Sequence, residues 1–318
     1  MKVNAVFEGG GVKGISLAGA VRSAELAGIT FGKVAGTSSG SIVASLLAAG
    51  YTASEMKLII EETPFRSFLQ RAPIFNTKVI GPAVRLLVRK GLYSGQALEQ
   101  WARKLLLAKD VVTFGDLPSG KLQIVASDIT NGKLLVLPKD IARYGVDPKR
   151  FPVAKAIRMS TSIPYFFDPV LIRQPVGEGN RSRKRKLRPQ FAYIVDGGLL
   201  SNFPLWLFEK EVDENRSPIP VLGFQMVGRN ASKSHRITGP ITMFQAMFET
   251  MLSAHDERYI EQEYRMRTIK IPTLGVGTTQ FDIDPETSDR LYRSGLEAGT
   301  KFFKQWLAHE RQKTETPE

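Results

Sequence analysis

A glycine-flanked serine near the amino terminus has the residue types and spacing needed for nucleophilic acyl transfer. Residues 36–40 read Gly-Thr-Ser-Ser-Gly and match G-x-S-x-G, the pattern that presents a serine nucleophile on a tight turn between a strand and a helix. Ser38 is the central residue, and the helix expected after it would direct its positive end toward charge developing at the hydroxyl. The alternative interpretation is a plain helix cap made of glycine and serine.

A second glycine cluster, residues 9–14, satisfies the pattern G-x-G-x-x-G of dinucleotide-binding loops. Such a site needs an acidic residue about 20 positions further on to hold the ribose. No Asp or Glu occurs between Glu25 and Glu55, and the phosphate-binding pattern G-x-x-x-x-G-K-[ST] is absent from the chain. The sequence therefore argues against a nucleotide site.

The same cluster fits an oxyanion-binding loop better. If the strands preceding it and preceding Ser38 are neighbours, the N–H groups of Gly10 and Gly11 will lie where an acyl oxyanion forms. Lys13 either adds a positive charge there or is an ordinary solvated helix residue.

A serine nucleophile needs a base, and Asp196 is the candidate. It follows a predicted strand and precedes Gly197 and Gly198, which permit a tight turn, although an Asp-Gly pair by itself is equally typical of an ordinary turn. The histidines are less suitable because His235 lies in a polar loop, while His255 and His309 have charged neighbours in predicted helices. We expect them to be solvated or capping residues.

Short strands alternate with helices along the chain, and this alternation predicts a parallel sheet covered by helices. Strands are predicted at residues 2–7, 31–35, 122–126, 134–137, around Val170, at 191–195 and at 221–225. Helices are predicted at 14–27, 39–49, after a Ser94 cap, at 153–160 and from Asp284-Pro285 onward. Residues 130–132, Thr-Asn-Gly, predict a hairpin turn. No linker divides the chain, so we expect one α/β domain over residues 1–309, followed by a polar tail, 310–318.

Together these motifs resemble the patatin-like phospholipases. That family carries G-G-G-x-[RK]-G, G-x-S-x-G and D-G-[GA], which correspond here to residues 9–14, 36–40 and 196–198. Residues 156–164, Ala-Ile-Arg-Met-Ser-Thr-Ser-Ile-Pro, are similar to a fourth family block that continues to Pro169 and includes Arg158. Asn202 and Pro204 also fit, so the matches cover about two thirds of the chain in the family's order.

The resemblance implies a fold, a site and a reaction. The fold would be three-layered, α/β/α, with a central, mainly parallel sheet. Ser38 would be the nucleophile, Asp196 the general base, and Gly9, Gly10 and Gly11 the oxyanion loop, with Lys13 and Arg158 as candidate substrate-contacting or motif residues. Family enzymes use a Ser-Asp dyad without histidine and need no metal or organic cofactor. The implied activity is hydrolysis of ester bonds in phospholipids or related acyl lipids.

Composition is consistent with an intracellular globular enzyme. Of 318 residues, 42% are hydrophobic and none is cysteine, which excludes a disulfide scaffold, thiolate metal sites and a Cys nucleophile. The amino terminus lacks the apolar core of a signal peptide, and the most apolar run, residues 42–49, is too short to span a bilayer. We therefore expect a cytoplasmic protein that visits membranes peripherally.

The net charge of +13 is concentrated in two segments, each contributing +6. Residues 64–93 contain six basic residues and no acidic one, and residues 173–188 contain seven basic residues and one acidic. Such patches indicate a polyanionic surface, either anionic lipid or nucleic acid. Segment 64–93 is predicted to be a lid or membrane-docking insertion beside Ser38, or else a core helical pair whose basic residues face solvent.

Three functions remain open from the sequence. The first is the lipid acyl hydrolase. The second is a protein that binds anionic surfaces or nucleic acid and retains a vestigial hydrolase site, although the intact spacing of the three motifs argues against it. The third is a hydrolase of soluble esters without a membrane role. Headgroup, acyl position and oligomeric state are not encoded in any recognisable motif.

Overall fold

A mixed sheet forms the centre of the molecule, as seen in a computed structural model that describes residues 1–69, 90–175, 190–208, 219–228, 237–239, 242–244, 246–251 and 266–315. The sheet contains β1 (Lys2–Phe7), β2 (Thr30–Thr37), β4 (Leu122–Asp128), β5 (Lys133–Leu137), β7 (Val170–Arg173), β8 (Phe191–Asp196), β9 (Val221–Val227) and β10 (Thr268–Pro272). Two further strands, β3 (Gly91–Tyr93) and β6 (Tyr165–Phe167), form a separate pair.

The strand order is β10-β9-β1-β2-β4-β8-β7, with β5 paired to β4. The pairings from β10 across to β4 are parallel, whereas β5 and β8 pair with β4, and β7 with β8, in antiparallel fashion. The predicted α/β fold with a mainly parallel central sheet is therefore confirmed.

Six α-helices are described from end to end, and residues 242–244 and 246–251 are helical as well. The six are α1 (Ile15–Leu26), α2 (Ser39–Ala48), α3 (Ala53–Glu62), α4 (Gln96–Leu107), α5 (Val153–Ser160) and α6 (Pro285–Glu315). The long helix α6 packs along α1 and beside β10.

The two faces of the sheet contribute to separate apolar clusters, as expected from the alternation of side chains along a strand. Ala5, Phe7 and Val34 belong to the main core, which the helices cover. Val6 and Ala35 point the other way and pack with Leu205, Phe208 and Val221. The sheet is thus buried on both sides, in agreement with the continuous apolar character of its central strands.

Several boundaries differ from the sequence-based expectation. Helix α4 is preceded by Gly95 in a left-handed conformation (φ +66°) rather than capped by Ser94, although the Ser94 hydroxyl still accepts a hydrogen bond from the Gln96 N–H at 3.3 Å. Helix α6 continues to Glu315 and so includes residues 310–315, which the sequence suggested were a tail.

One helix, α3, and three strands, β3, β6 and β10, were not predicted. Helix α3 has a sequence signal that was overlooked: the Thr52 hydroxyl accepts from the Glu55 N–H and the Glu55 carboxylate accepts from the Thr52 N–H, a capping box. Strand β10 is short and gains its place only by pairing with β9.

The two basic segments fall largely outside the described residues. Of segment 64–93, residues 70–89 are outside, and the remainder comprises a short 3-10 turn, Phe65–Phe68, and the residues leading into β3. Of segment 173–188, the described part is 173–175. The lid and the basic loop therefore stay predictions.

Strand register brings the ends of β2 and β8 together. Residues 124–125 of β4 pair with both β2 and β5, and residues 126–128 pair with both β5 and β8. Strands β2 and β8 must therefore share the edge of β4 that β5 leaves open. Because β2 is parallel and β8 antiparallel to β4, they run toward each other, and their carboxyl ends meet at consecutive residues: Thr37 pairs with Val125 and Asp196 with Ala126.

Candidate active site

Ser38 occupies a strained turn between β2 and α2. Its backbone angles, φ +52° and ψ −126°, lie outside the common regions for a residue with a side chain, at a cost of about 1–3 kcal/mol. The turn requires both flanking glycines, because a Cβ on Gly36 would lie 2.3 Å from the Gly40 carbonyl carbon, and one on Gly40 would lie 2.2 Å from the Phe7 oxygen. The G-x-S-x-G pattern is therefore explained by steric contact with the end of β1.

Asp196 ends β8 and faces this serine directly. The Ser38 hydroxyl donates a hydrogen bond to Asp196 Oδ2 at 2.7 Å, and the Gly198 N–H donates to Asp196 Oδ1 at 2.8 Å. Both side chains are buried, Ser38 at 5% and Asp196 at 2% exposure. The structure thus brings together the two residues that the sequence assigned to the dyad, across a separation of 158 positions.

Burial makes this carboxyl group an unusually strong base for an aspartate. Desolvation raises the pKa of Asp196 from 3.8 to about 7, although the hydrogen bonds from Ser38 and Gly198 act in the opposite direction. A carboxylate with a pKa near 7 matches the task of a general base at neutral pH far better than an exposed aspartate does.

Ser160, the last residue of α5, connects the serine turn to β4 by hydrogen bonds. The Ser38 N–H donates to the Ser160 hydroxyl at 2.9 Å, and that hydroxyl donates to the Val125 carbonyl oxygen at 2.6 Å. Nearby, the Ser162 carbonyl oxygen accepts from the Asp196 N–H at 2.9 Å. The family-like block 156–164 therefore holds both members of the pair, a role that the sequence motif marked but did not explain.

The glycine cluster at residues 9–11 lies beside Ser38, at the end of β1. The Gly9 N–H donates to the Asn202 carbonyl oxygen at 3.1 Å, and a Cβ on Gly9 would lie 3.0 Å from the Ser38 Cβ. The Gly10 N–H donates to the Ser39 hydroxyl at 3.1 Å. Gly11 has φ +58°, and its N–H makes no hydrogen bond to any residue within the described ranges.

Contacts from distant parts of the chain fix this loop. The Asn202 side-chain amide donates to the Gly9 carbonyl oxygen at 3.2 Å, and the Val12 N–H donates to the Thr278 carbonyl oxygen at 3.2 Å. The Met226 side chain packs where a Cβ on Gly10 would lie. Neither Thr278 nor Met226 belongs to a recognisable motif, so sequence reasoning had no signal with which to find them.

The two remaining candidates differ in position. Lys13 lies half-buried in the 3-10 turn after the glycine loop, next to Gly10. Arg158 is 3% exposed, and its guanidinium donates to the carbonyl oxygens of Ser94 (2.5 Å) and Asp168 (2.6 Å) and to the Ser162 hydroxyl. These donors are directed at protein acceptors that join α4, α5 and the β6–β7 turn, so Arg158 has a structural role here, and its contact with substrate stays a prediction.

An apolar slot that Ser38 lines lies between α1, α2, α3 and α4, and its empty space, open solvent included, is about 800 Å³. Among the described residues that line it, three side chains, Ser38, Ser39 and Thr161, carry a hydroxyl. The lining residues are Gly11, Val12, Gly14, Ile15, Ala18, Ser38, Ser39, Ile42, Val43, Leu46, Met56, Ile59, Ile60, Phe65, Phe68, Leu98, Trp101, Thr161, Ile163, Phe167 and Phe281. Phe65 and Phe68 belong to the basic segment 64–93, so its first residues border the site.

Histidines and metal ligands do not add to the site within the described residues. His309 lies on the exposed surface of α6, whereas His235 and His255 fall outside the described ranges. No group of three or more His, Asp or Glu side chains there is arranged to hold a metal ion. None of the described helices has the length and apolar character to cross a membrane.

A family model described as "Patatin-like phospholipase" matches residues 5–208, a range that contains the loop, the serine turn and the aspartate. The chain belongs to the patatin-like phospholipase family. Among curated proteins, the uncharacterised YqhO of Bacillus subtilis is 41% identical over 307 residues, covering 96% of this chain and 99% of its own. A probable lipid hydrolase, 463L of Invertebrate iridescent virus 6, is 24% identical and covers 94% of this chain and 84% of its own. Membership and this viral relative support a lipid hydrolase activity.

Solved structures show the same fold. VipD from Legionella pneumophila superposes with a TM-score of 0.55 at 19% identity, covering 95% of this chain and 67% of that one. ExoU from Pseudomonas aeruginosa, solved as a heterodimer with SpcU, gives 0.51 at 18% identity and covers 96% of this chain. The chain spans 52% of that ExoU chain, so the likeness concerns the fold alone.

Proposed function

We propose that this protein is a serine lipid acyl hydrolase that cleaves ester bonds of phospholipids or related acyl lipids with a Ser38–Asp196 dyad. The observation that carries the proposal is the buried 2.7 Å hydrogen bond between these side chains, with Ser38 lining an apolar slot. Hydroxyl, base and a place for an acyl chain are thus adjacent. The slot favours acyl lipids over small polar esters, because its described lining is mostly apolar and offers few hydrogen-bond partners to a polar substrate.

The acylation step follows from the geometry. Asp196 Oδ2 accepts the Ser38 hydroxyl proton while Oγ bonds to the ester carbonyl carbon, and the carbonyl electrons move to the oxygen. The N–H groups of Gly10 and Gly11 stabilise this oxyanion, with the amino-terminal end of α2 adding a favourable dipole. The tetrahedral intermediate then collapses, and the leaving alcohol takes the proton back from Asp196.

Deacylation repeats the sequence with water. Asp196 removes a proton from a water molecule, which attacks the acyl-Ser38 carbonyl, and collapse releases the fatty acid and restores the Ser38 hydroxyl. The Gly10 N–H donates to the Ser39 hydroxyl in this structure, so the substrate oxygen has to replace that hydroxyl as its acceptor. The loop donor is already oriented toward an oxygen beside Ser38. The chain's own residues supply every step, and no cofactor is invoked.

We also propose that the basic segments 64–93 and 173–188 attract the protein to anionic membranes. Each Lys or Arg near such a surface contributes about 1 kcal/mol. Arg66 belongs to the described part of the first segment, its side chain is 75% exposed, and its ion pair with Asp282 is long, 3.9 Å. Arg66 can therefore face headgroups close to the slot residues Phe65 and Phe68.

The decisive experiment measures hydrolysis of mixed phospholipid vesicles and of a p-nitrophenyl ester by the wild type, Ser38→Ala and Asp196→Asn. We expect both variants to lose hydrolysis while retaining the fold and vesicle binding. Ser45→Ala is the matched control, because Ser45 is a fully buried serine on the same helix whose hydroxyl donates to the Ser41 carbonyl oxygen, away from Asp196.

The result also separates the alternatives. Full activity in Ser38→Ala would overturn the proposal. Vesicle binding without any hydrolysis by the wild type would favour the surface-binding protein with a vestigial site. Hydrolysis of the soluble ester alone would favour the soluble-ester enzyme. A variant in which His235, His255 and His309 are all substituted should retain most of the activity. Loss of activity in this variant would indicate a histidine-dependent mechanism instead of the dyad.

A further inference from the structure

Helices α2 and α4 form two long walls of the apolar slot and run in the same direction. The start of α4 lies near the dyad, because a Cβ on Gly95 would be 2.4 Å from Arg158 Cζ, and Arg158 contacts Ser162, whose carbonyl oxygen accepts from Asp196. The far ends also coincide, since the Tyr51 hydroxyl, just past α2, donates to the Leu105 carbonyl oxygen at 2.7 Å. Progress along α4 is therefore progress away from Ser38.

Trp101 lines the slot from α4 and is held in place from two directions. Its indole N–H donates to the Thr63 hydroxyl at 3.1 Å, and that hydroxyl donates in turn to the Ile59 carbonyl oxygen at 2.5 Å. On another side, the Phe68 ring meets the indole edge-on, with centroids 5.4 Å apart at 64°. Phe68 is itself 4% exposed. A large ring fixed by a hydrogen bond and by a buried aromatic neighbour makes a firm wall.

We propose that Trp101 is the end wall of the slot and limits the length of the acyl chain that the enzyme accepts. Trp101 comes six residues after Gly95, which at 1.5 Å per residue corresponds to about 9 Å along α4 from the dyad end. Carbon–carbon bonds of about 1.52 Å in a zigzag advance about 1.3 Å per carbon, so an acyl segment of about seven carbons matches this length of α4. The inference rests on the proposed function and specifies its substrate: medium-length acyl groups.

The test is a chain-length profile of kcat/KM with p-nitrophenyl esters from butanoyl to hexadecanoyl. For the wild type we expect a maximum near octanoyl and a fall beyond it. For Trp101→Ala we expect the maximum to move to dodecanoyl or longer, with the dodecanoyl ester gaining at least tenfold relative to wild type. Each additional buried methylene is worth about 0.8 kcal/mol, or about fourfold, so two methylenes account for this gain. The butanoyl ester should change least of the series, so the ratio of the dodecanoyl to the butanoyl kcat/KM is the quantity that reports the wall.

Two further variants protect the test against general destabilisation. Trp101→Phe keeps an aromatic contact with Phe68 but shortens the wall, and should shift the maximum by one or two carbons. Trp306→Ala is the matched control: Trp306 is 7% exposed, packs against Phe302 and Phe303 on α6, and does not line the slot. Folded Trp101 variants with the wild-type profile, or an equal shift in Trp306→Ala, would overturn the inference.

Fatty-acid binding distinguishes failure of this inference from failure of the proposed function. Calorimetric titration of Ser38→Ala with octanoate and dodecanoate reads the slot without any catalysis. Tighter binding of octanoate, reversed in the Ser38→Ala, Trp101→Ala double variant, would support the wall even if no ester were hydrolysed. The same preference in both proteins would exclude it.

Discussion

At the scale of single residues, the site depends on one carboxyl group kept out of water. Asp196 has the Ser38 hydroxyl and the Gly198 N–H as its hydrogen-bond donors and no cation among them. Desolvation therefore dominates and places its pKa at about 7. The same burial that makes Asp196 a competent base makes its ionised form costly to the fold, so activity and stability oppose each other at this residue.

The first prediction is a pH profile with a single ionisation. Asp196 must be ionised to accept the Ser38 proton, so kcat/KM should rise with pH and level off above about 7. The measurement is kcat/KM on a soluble ester between pH 5 and 9. A rate that stays constant down to pH 5 would contradict a base with this pKa.

The same pKa has a consequence for stability that checks it independently of catalysis. In the folded protein Asp196 keeps its proton up to about pH 7, whereas in the unfolded chain it loses it near 4, so the wild type loses stability as pH rises through this window. Asp196→Asn cannot ionise. Its free energy of unfolding should therefore exceed that of the wild type by about a few kcal/mol at pH 8 and match it near pH 4. Equal values at both pH values would contradict the raised pKa.

At the scale of elements, strand ends and tight turns determine the site. The oxyanion loop follows β1, the serine turn follows β2 and the aspartate ends β8, and each turn has glycine where another strand or loop approaches. Gly11 is the clearest case, since a Cβ there would lie 2.0 Å from the Thr278 carbonyl oxygen, a backbone atom that cannot turn away. The loop donors are therefore fixed by contact with a segment more than 260 residues away in sequence.

The second prediction compares two glycines with positive φ. Gly11→Ala should lower kcat by 100-fold or more, because the loop must move away from Thr278 and loses a donor worth about 10²–10³ in kcat. Gly28→Ala is the control: Gly28 has φ +72° but no atom within 4 Å of the point where a Cβ would lie, so it bears the same backbone cost, about 1 kcal/mol, without a collision. Turnover on a soluble ester and thermal melting of both variants provide the comparison. Near-normal turnover in Gly11→Ala would place the oxyanion donors elsewhere.

At the scale of the whole molecule, charge is unevenly distributed around a nearly neutral catalytic body. Twelve of the thirteen net positive charges fall in residues 64–93 and 173–188, and the first of these segments begins with the aromatic residues that line the slot. An enzyme that takes acyl chains from a membrane gains access to its substrate if its slot is attracted to that membrane. Electrostatic attraction of this kind is long-ranged only at low salt.

The third prediction concerns this attraction. Replacing Arg66, Arg71, Arg85 and Arg89 by Gln should lower activity on anionic vesicles and remove its salt dependence, while cleavage of a soluble short-chain ester stays unchanged. The control variant carries Gln at four exposed basic positions of α6 and so loses the same amount of charge. These positions are Arg290, Arg293, Lys301 and Lys304. An equal fall on vesicles and soluble ester would indicate a structural role for the segment, and an equal effect of both quadruple variants would indicate only net charge.

The sequence by itself predicted the type of fold, which is confirmed, and the residues of the candidate site. Residues 9–14, 36–40 and 196–198 could be assigned because tight turns demand glycine and acyl transfer demands a hydroxyl and a base, and these are local requirements written in short motifs. The alternation of apolar strands and helices likewise predicted the parallel sheet. The capping box at Thr52 and Glu55 was equally local and readable, although it was overlooked.

Only the tertiary structure decided how these pieces meet. The opposed arrival of β2 and β8 along one edge of β4 brings Ser38 to Asp196, and strand order is not written in any segment taken alone. The pKa of Asp196 depends on what surrounds it, as do the buried acceptors that engage Arg158 and the position of Trp101 in the slot. The reason is physical: desolvation and packing are properties of a residue's neighbours in space, and most of those neighbours are distant in sequence.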